Sequence, residues 1–162
     1  MHRSPLRSDA GTTFRPEPAG AASLERTLSY RMHLVNKLAD KSSAYAYAHE
    51  LGLPVGQARC LAAIGRFEPL SVIDLAGRSN LDKGQASRAA QALAERGLVA
   101  KRPSDTDARG VVLSLTPRGR RLWSDVMNLV ARRNAQIFGC LTATERKALG
   151  RMLDRLIEHT RG

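Results

Sequence analysis

The stretch from Ser71 to Leu115 constrains the fold more than any other part of the chain. Ser71 precedes Val72, Ile73, Leu75 and Ala76, and its hydroxyl can accept from the unpaired amides of a first helical turn, so a short helix is expected there. Arg78, Ser79 and Asn80 read as a turn, and Asp82 reads as the cap of a second helix running to about Arg96. Gly97 then stands where a helix usually ends in left-handed backbone, a conformation glycine adopts without steric cost. Two short runs follow, Leu98 to Arg102 and Gly110 to Leu115, joined by Pro103-Ser104-Asp105-Thr106-Asp107-Ala108-Arg109. They read as the strands of a β-hairpin. A hairpin of this length is not stable alone and must lean on the helices before it.

The flanks are helical in pattern. Leu24, Leu28, Met32, Val35 and Leu38 recur at helical spacing in a segment expected to run to about Glu50, where Gly52 and Pro54 stop it. A second helix is expected from about Pro54, a residue suited to a first helical position, carrying Ala58, Leu61, Ala62 and Ile64 inward until Pro69. After Thr116 and Pro117, Leu122, Val126, Leu129, Val130 and Ile137 mark a long helix, with a break near Gly139. Thr142 and Glu145 have the spacing of a capping box at the start of a last helix bearing Leu149, Met152, Leu153, Leu156 and Ile157. Aromatic residues make up only 4% of the chain, which favours helices packed on small and branched aliphatic side chains over a β-sandwich. The fold class is therefore mostly α with a small β-hairpin. Residues 1–22, rich in Pro, Gly, Ser, Thr and Arg without periodicity, are expected to form a flexible arm ahead of one folded domain over 23–162.

Charge narrows the partner. Lys and Arg number 26 against 15 Asp and Glu, a net charge of +11, which favours a polyanion. From Arg78 to Arg121 there are ten Lys or Arg against four Asp or Glu, so the excess is concentrated around the helix pair and the hairpin. No stretch approaches the roughly 20 apolar residues that span a bilayer, and Met1 to Gly20 has no apolar core of the signal-peptide kind, so a cytoplasmic chain with no membrane partner is expected. Metalloprotease, phosphate-loop, nucleophile-elbow and paired-carboxylate motifs are all missing, so no enzyme, no cofactor and no metal site are expected. Cys60 and Cys140 form no CxxC pair and lie in apolar contexts, which suggests two buried thiols; a redox role for either is the alternative.

Several fragments, in order, resemble the MarR family of winged helix-turn-helix transcriptional regulators. They are residues 70–76 (LSVIDLA), 81–88 (LDKGQASR), 93–99 (LAERGLV), Asp107-Ala108-Arg109 ahead of Leu113-Ser114-Leu115-Thr116, Gly119, and residues 141–145 (LTATE). The resemblance implies a winged helix-turn-helix over about 54–116, with N- and C-terminal helices over about 24–50 and 117–160 forming a dimerisation region. It implies a homodimer on double-stranded DNA at a pseudo-palindromic operator, and repression as the default outcome. On the helix from Asp82, Ala86, Ala89, Ala90 and Leu93 form an inward stripe, leaving Lys83, Gln85, Ser87, Arg88 and Gln91 on other faces. Gln can pair bidentately with adenine and Arg with guanine, so Gln85 and Arg88 are the expected base readers, with Lys83 and Ser87 as phosphate or mixed contacts. In the wing, the resemblance implies that Arg109 enters the minor groove with Asp107 supporting it. It also implies a small aromatic or carboxylate effector. By residue type and family geometry, His33, Lys37 and Arg59 are expected to receive its anionic group, with Tyr30 as an aromatic wall. The alternatives are a repressor responding to redox chemistry at Cys60 or Cys140, or a winged helix that binds a protein partner without DNA specificity.

Overall fold

A computed structural model of the chain describes residues 23–104 and 110–162. Two compact units divide within the first helix, residues 1–37 and residues 38–162. In the smaller one, a 3-10 turn at Leu24–Arg26 leads into helix α1, Leu28–Leu51. The Thr27 hydroxyl donates to the Leu24 carbonyl at 2.8 Å and separates the turn from the helix. Leu24, Leu28, Met32 and Val35 are all exposed.

The larger unit holds the remainder of α1 and then α2 (Val55–Phe67), β1 (Leu70–Ser71), α3 (Val72–Ser79), α4 (Lys83–Glu95), β2 (Val99–Pro103), β3 (Val111–Leu115), α5 (Pro117–Ile137) and α6 (Ala143–Arg161). Gly52, at φ +60°, ends α1 as its neighbours suggested. Pro54 is the residue before α2 and not its first member. Ser71, Asp82, Thr116 and Thr142 all act as N-caps, each side chain accepting from an amide of its helix's first turn.

Two expectations need correction. Ser79 belongs to α3 and is buried; its hydroxyl finds a partner by donating to the Leu75 carbonyl at 2.6 Å, which lets a polar residue end the helix inside the core. The left-handed turn is made by Asn80 alone, at φ 53°, a conformation short polar side chains tolerate. The expected hairpin is part of a three-stranded antiparallel sheet, order β1-β3-β2, because the two residues before α3 pair with β3 as Leu70↔Leu113 and Ser71↔Val112. A two-residue strand has too little pattern to announce itself.

Leu53, Leu61, Ile64, Leu75, Leu93, Leu98, Leu113 and Leu129 are at most 2% exposed and bring α2, α3, α4, the sheet and α5 onto one core. Each such side chain contributes about 1.5–3 kcal/mol by leaving water. Two glycines permit the closest approaches. A Cβ on Gly119 would lie 1.8 Å from the Leu98 carbonyl oxygen, so only glycine lets α5 start against β2. A Cβ on Gly65 would lie 2.4 Å from the Trp123 ring, whose Nε1 donates to the Ala62 carbonyl at 3.3 Å.

Helix α6 differs from the rest, since none of its residues is buried and Met152, Leu156 and Ile157 are about half exposed. The cysteines also divide. Cys60 is buried, and burial pushes its thiol up against a smaller opposing effect of the Ser79 hydrogen bond, whereas Cys140 is exposed in the turn between α5 and α6. The apolar neighbours of Cys140 in sequence did not translate into burial.

Candidate nucleic-acid interface

Helix α3, the Asn80 turn and α4 form the helix-turn-helix. The inward stripe of α4 consists of Ala86, Ala89, Ala90 and Leu93, all buried. Three alanines in that stripe let α4 lie close to its neighbours, and the opposite face is polar. Lys83, Gln85, Ser87 and Arg88 are all exposed on it. Among the described residues, Lys83 and Arg88 have no carboxylate within ion-pair distance.

The first turn of α4 contains a lysine and no acid. That arrangement opposes the helix's own preference, because the amino end of a helix carries partial positive charge and favours anions. Gly84 leaves the space into which two charged side chains converge: a Cβ there would lie 3.2 Å from Asp82 Oδ1 and 3.3 Å from Arg88 Nη1. A cationic, solvent-facing helix start held on an apolar base is suited to meeting a phosphate or a base edge.

Gln85 is engaged in the helix cap. Asp82 Oδ1 accepts from the Gln85 amide at 2.7 Å, and Gln85 Oε1 accepts from the Asp82 amide at 3.3 Å, a reciprocal capping box. The Asp82-x-x-Gln85 spacing carries this signal in the sequence, and the cap engages the side chain expected to read a base. Gln91 is also engaged: it accepts from Lys101 Nζ of β2 at 2.5 Å and donates to Glu95 at 2.8 Å, tying α4 to the hairpin. No local signal announces that bond, since its two ends meet only in the folded lobe. Asp107 and Arg109 lie outside the described residues.

The residues assigned to an effector fall in both units. Tyr30, His33 and Lys37 are exposed on the first turns of α1 in the smaller one. Arg59, on α2 in the larger one, is paired with Asp40 at 2.6 Å. Within the larger unit, Leu38, Lys41, Tyr45, Leu129, Arg132 and Arg133 help line a cleft of about 550 Å³ between α1 and α5. There Arg132 is paired with Glu50, but among the described residues Arg133 is met only by neutral oxygens, those of Ser42, Ser43 and Gln136. Buried Tyr47 is pushed up by desolvation, with Arg59 and Arg133 acting in the opposite direction. Among the described residues no cluster of His, Cys, Asp and Glu could hold a metal ion, and no helix is long and apolar enough to cross a membrane.

Comparison with known proteins agrees with this architecture. Residues 51–110, from the end of α1 to the hairpin, match the sequence profile of the MarR family. The transcriptional repressor Rv2887 of Mycobacterium tuberculosis is 28% identical over 106 residues, covering 65% of this chain and 76% of that protein. The crystal structure of Rv2887 in complex with p-aminosalicylic acid superposes with a TM-score of 0.66 at 26% identity, over 80% of this chain and 98% of that one. A MarR family regulator from Silicibacter pomeroyi gives a TM-score of 0.74 at 23% identity, over 85% and 92% of the two chains, and supports the fold. With a capped helix α4 in a helix-turn-helix and an adjoining sheet in the order β1-β3-β2, the chain has a winged-helix fold similar to that of the MarR family, whose profile it matches over residues 51–110.

Proposed function

We propose that the chain is a sequence-specific double-stranded DNA-binding regulator, a repressor that acts as a homodimer on a pseudo-palindromic operator. The observation that carries the reading is the polar face of α4, where Lys83, Ser87 and Arg88 are exposed at a helix start whose only nearby cap is Asp82. A major groove about 12 Å wide admits one such helix with its first turns against the base edges. In this reading Arg88 and Gln85 contact bases, Lys83 and Ser87 contact phosphates or sugars, and Arg109, aided by Asp107, adds the wing contact. The exposed apolar side chains of α6, and separately those of the start of α1, are the surfaces a second copy would cover, with residues 24–50 and 117–160 as the dimerisation region and 54–116 as the reading lobe. A dimer matches the half-site spacing of about one helical turn.

The test is selection of bound duplexes from a randomised 30-base-pair library. Against the selected duplex, Arg88→Ala is expected to relax preference at one base position per half-site, at about 1–3 kcal/mol. Lys83→Ala is expected to weaken all sequences alike and lower the slope of log affinity on log salt by about one. Equal affinity of wild type and both variants would overturn the assigned face.

Release by a small aromatic or anionic effector is the proposed regulatory input, in keeping with the p-aminosalicylic acid bound to Rv2887. Tyr30, His33, Lys37 and Arg59 are the residues assigned to it by type. A second location is favoured by Arg133, a half-buried guanidinium whose hydrogen-bond partners are all uncharged. Calorimetric titration with benzoate, salicylate and hydroxynicotinate separates the two: His33→Ala abolishes heat at the first location and Arg133→Ala at the second. A ligand releases nothing unless it prefers a conformation that fits DNA poorly, so displacement from the selected duplex is measured alongside.

A further inference from the structure

Helix α2 ends with the Glu68 amide donating to the Ile64 carbonyl at 2.8 Å, and Pro69 leads into β1. β1 is only two residues long, paired to β3 as Leu70↔Leu113 and Ser71↔Val112. Carrying that antiparallel register two residues back sets Glu68 opposite Leu115. No strand exists there to receive the Leu115 amide. The Glu68 side chain does so instead: its Oε2 accepts from the Leu115 amide at 2.5 Å, and its Oε1 accepts from Arg120 Nη2 of α5 at 2.6 Å. The carboxylate is only 18% exposed, and Leu115 is itself buried, so without Glu68 this backbone donor would be unsatisfied away from water.

The other edge of β3 is already occupied. Val99 lies opposite Leu115, and the Thr116 amide donates to the Leu98 carbonyl at 3.1 Å. Glu68 therefore closes the open side of β3 at its base and joins the end of α2, the hairpin and the start of α5 through one carboxylate. Further along, the hairpin carries the exposed cations Lys101, whose Nζ also donates to Gln91 of α4, and Arg102 beyond it. Since so short a hairpin takes its direction from what holds its base, a small rotation at Leu115 swings the far end relative to α4.

The geometry points to Glu68 as a positioning residue for the wing: it sets the angle between hairpin and recognition helix and thereby supports DNA affinity without touching DNA. This rests on the DNA-binding reading above. Glu68 is an acid beside the basic segment 78–121, and its pairing with Arg120 offsets its charge there.

The experiment measures full-length protein on the library-selected duplex, with wild type, Glu68→Ala, Glu68→Gln and Arg120→Gln, each also combined with Arg109→Ala and with Lys83→Ala. Glu68→Ala is expected to weaken binding about tenfold, which is about 1.4 kcal/mol. The loss shrinks below about twofold when Arg109 is already Ala, and persists in full when Lys83 is Ala, because coupled sites are non-additive and separate ones add. Glu68→Gln keeps an oxygen for the Leu115 amide and loses the Arg120 pair, so it and Arg120→Gln are expected to lose about threefold; they also carry the test should Glu68→Ala fail to fold. Losses that are equal in wild-type and Arg109→Ala backgrounds, or no loss from any variant, overturn the role of Glu68. Failure of wild type to select any duplex overturns the DNA-binding reading instead. Amide exchange at Leu115 then decides the clamp alone: faster exchange in Glu68→Ala than in wild type and Glu68→Gln, at matched global stability, upholds it, and unchanged exchange in Glu68→Ala overturns it.

Discussion

Helices α4 and α6 start from the same local device, a capping box made by Asp82 with Gln85 in one and by Thr142 with Glu145 in the other, and both carry an apolar stripe. α4 buries its stripe completely. α6 buries nothing, and Met152, Leu156 and Ile157 remain 47–51% exposed. Local signals therefore determine where each helix begins, whereas stabilisation by its apolar face depends on what the rest of the chain brings to it. The lobe containing α4 covers its own apolar stripe within one chain, whereas the apolar face of α6 is left open and is the face the proposed dimer would cover.

The largest effect that would test this contrast comes from truncating each stripe. Leu93→Ala is expected to cost about 3 kcal/mol in chemical unfolding, as for other fully buried leucines. Leu156→Ala is expected to change monomer stability by less than about 1 kcal/mol and instead to remove the dimer's contribution, making the unfolding midpoint less dependent on protein concentration. Sedimentation equilibrium would show the dimer weakened; equal costs for both substitutions, without a shift in association, would erase the distinction between the two helices.

The caps come next. Asp82→Ala is expected to cost about 1 kcal/mol, the usual loss when a capping carboxylate is removed. In α6 the Glu145 carboxyl is held below its ordinary range first by the Thr142 amide and then by the Thr142 hydroxyl. A carboxyl whose folded value is depressed stabilises the fold above its unfolded value and loses that contribution as pH falls through the folded value. Helicity at the start of α6 should therefore decline in mildly to strongly acidic solution, and Thr142→Ala should move the Glu145 titration, followed by NMR, upward. An unmoved titration would show that the box is not formed in solution.

The smallest effect is on chemistry and not on stability. Cys140, exposed, is expected to react with a thiol reagent at neutral pH, while Cys60, buried and pushed up by that burial, stays silent until the protein is denatured. One reactive thiol per native chain and two in denaturant is the expected count; two in the native state would mean that the lobe opens far more readily than its packing implies.

Much of this was legible before folding because it is local. The caps at Ser71, Asp82, Thr116 and Thr142 act on amides within three residues, and the stripe of Ala86, Ala89, Ala90 and Leu93 follows from helical spacing. What escaped depends on residues distant in sequence. Pairing of Leu70 with Leu113, the bond from the Leu115 amide to Glu68, the engagement of Gln91 by Lys101 and that of Arg59 by Asp40 are set by how the elements meet. Ser79 was misread for a similar reason: serine favours turns on its own, but a carbonyl four residues back satisfied its hydroxyl and kept it in the helix. At the candidate site, residue types on α4 could be named in advance, but their existing engagements could not.

The double use of Gln85 limits how the recognition surface can diversify. Its Oε1 already accepts from the Asp82 amide, so an adenine contact that recruits the same oxygen must share it or loosen the first turn of α4. If Gln85 reads a base as proposed, a replacement there has to close a helix and meet a base edge at once, which leaves glutamate and few other residues as candidates. In the proposed reading, base preference would accordingly be changed more readily at position 88 than at position 85, where base discrimination and helix integrity rest on one side chain.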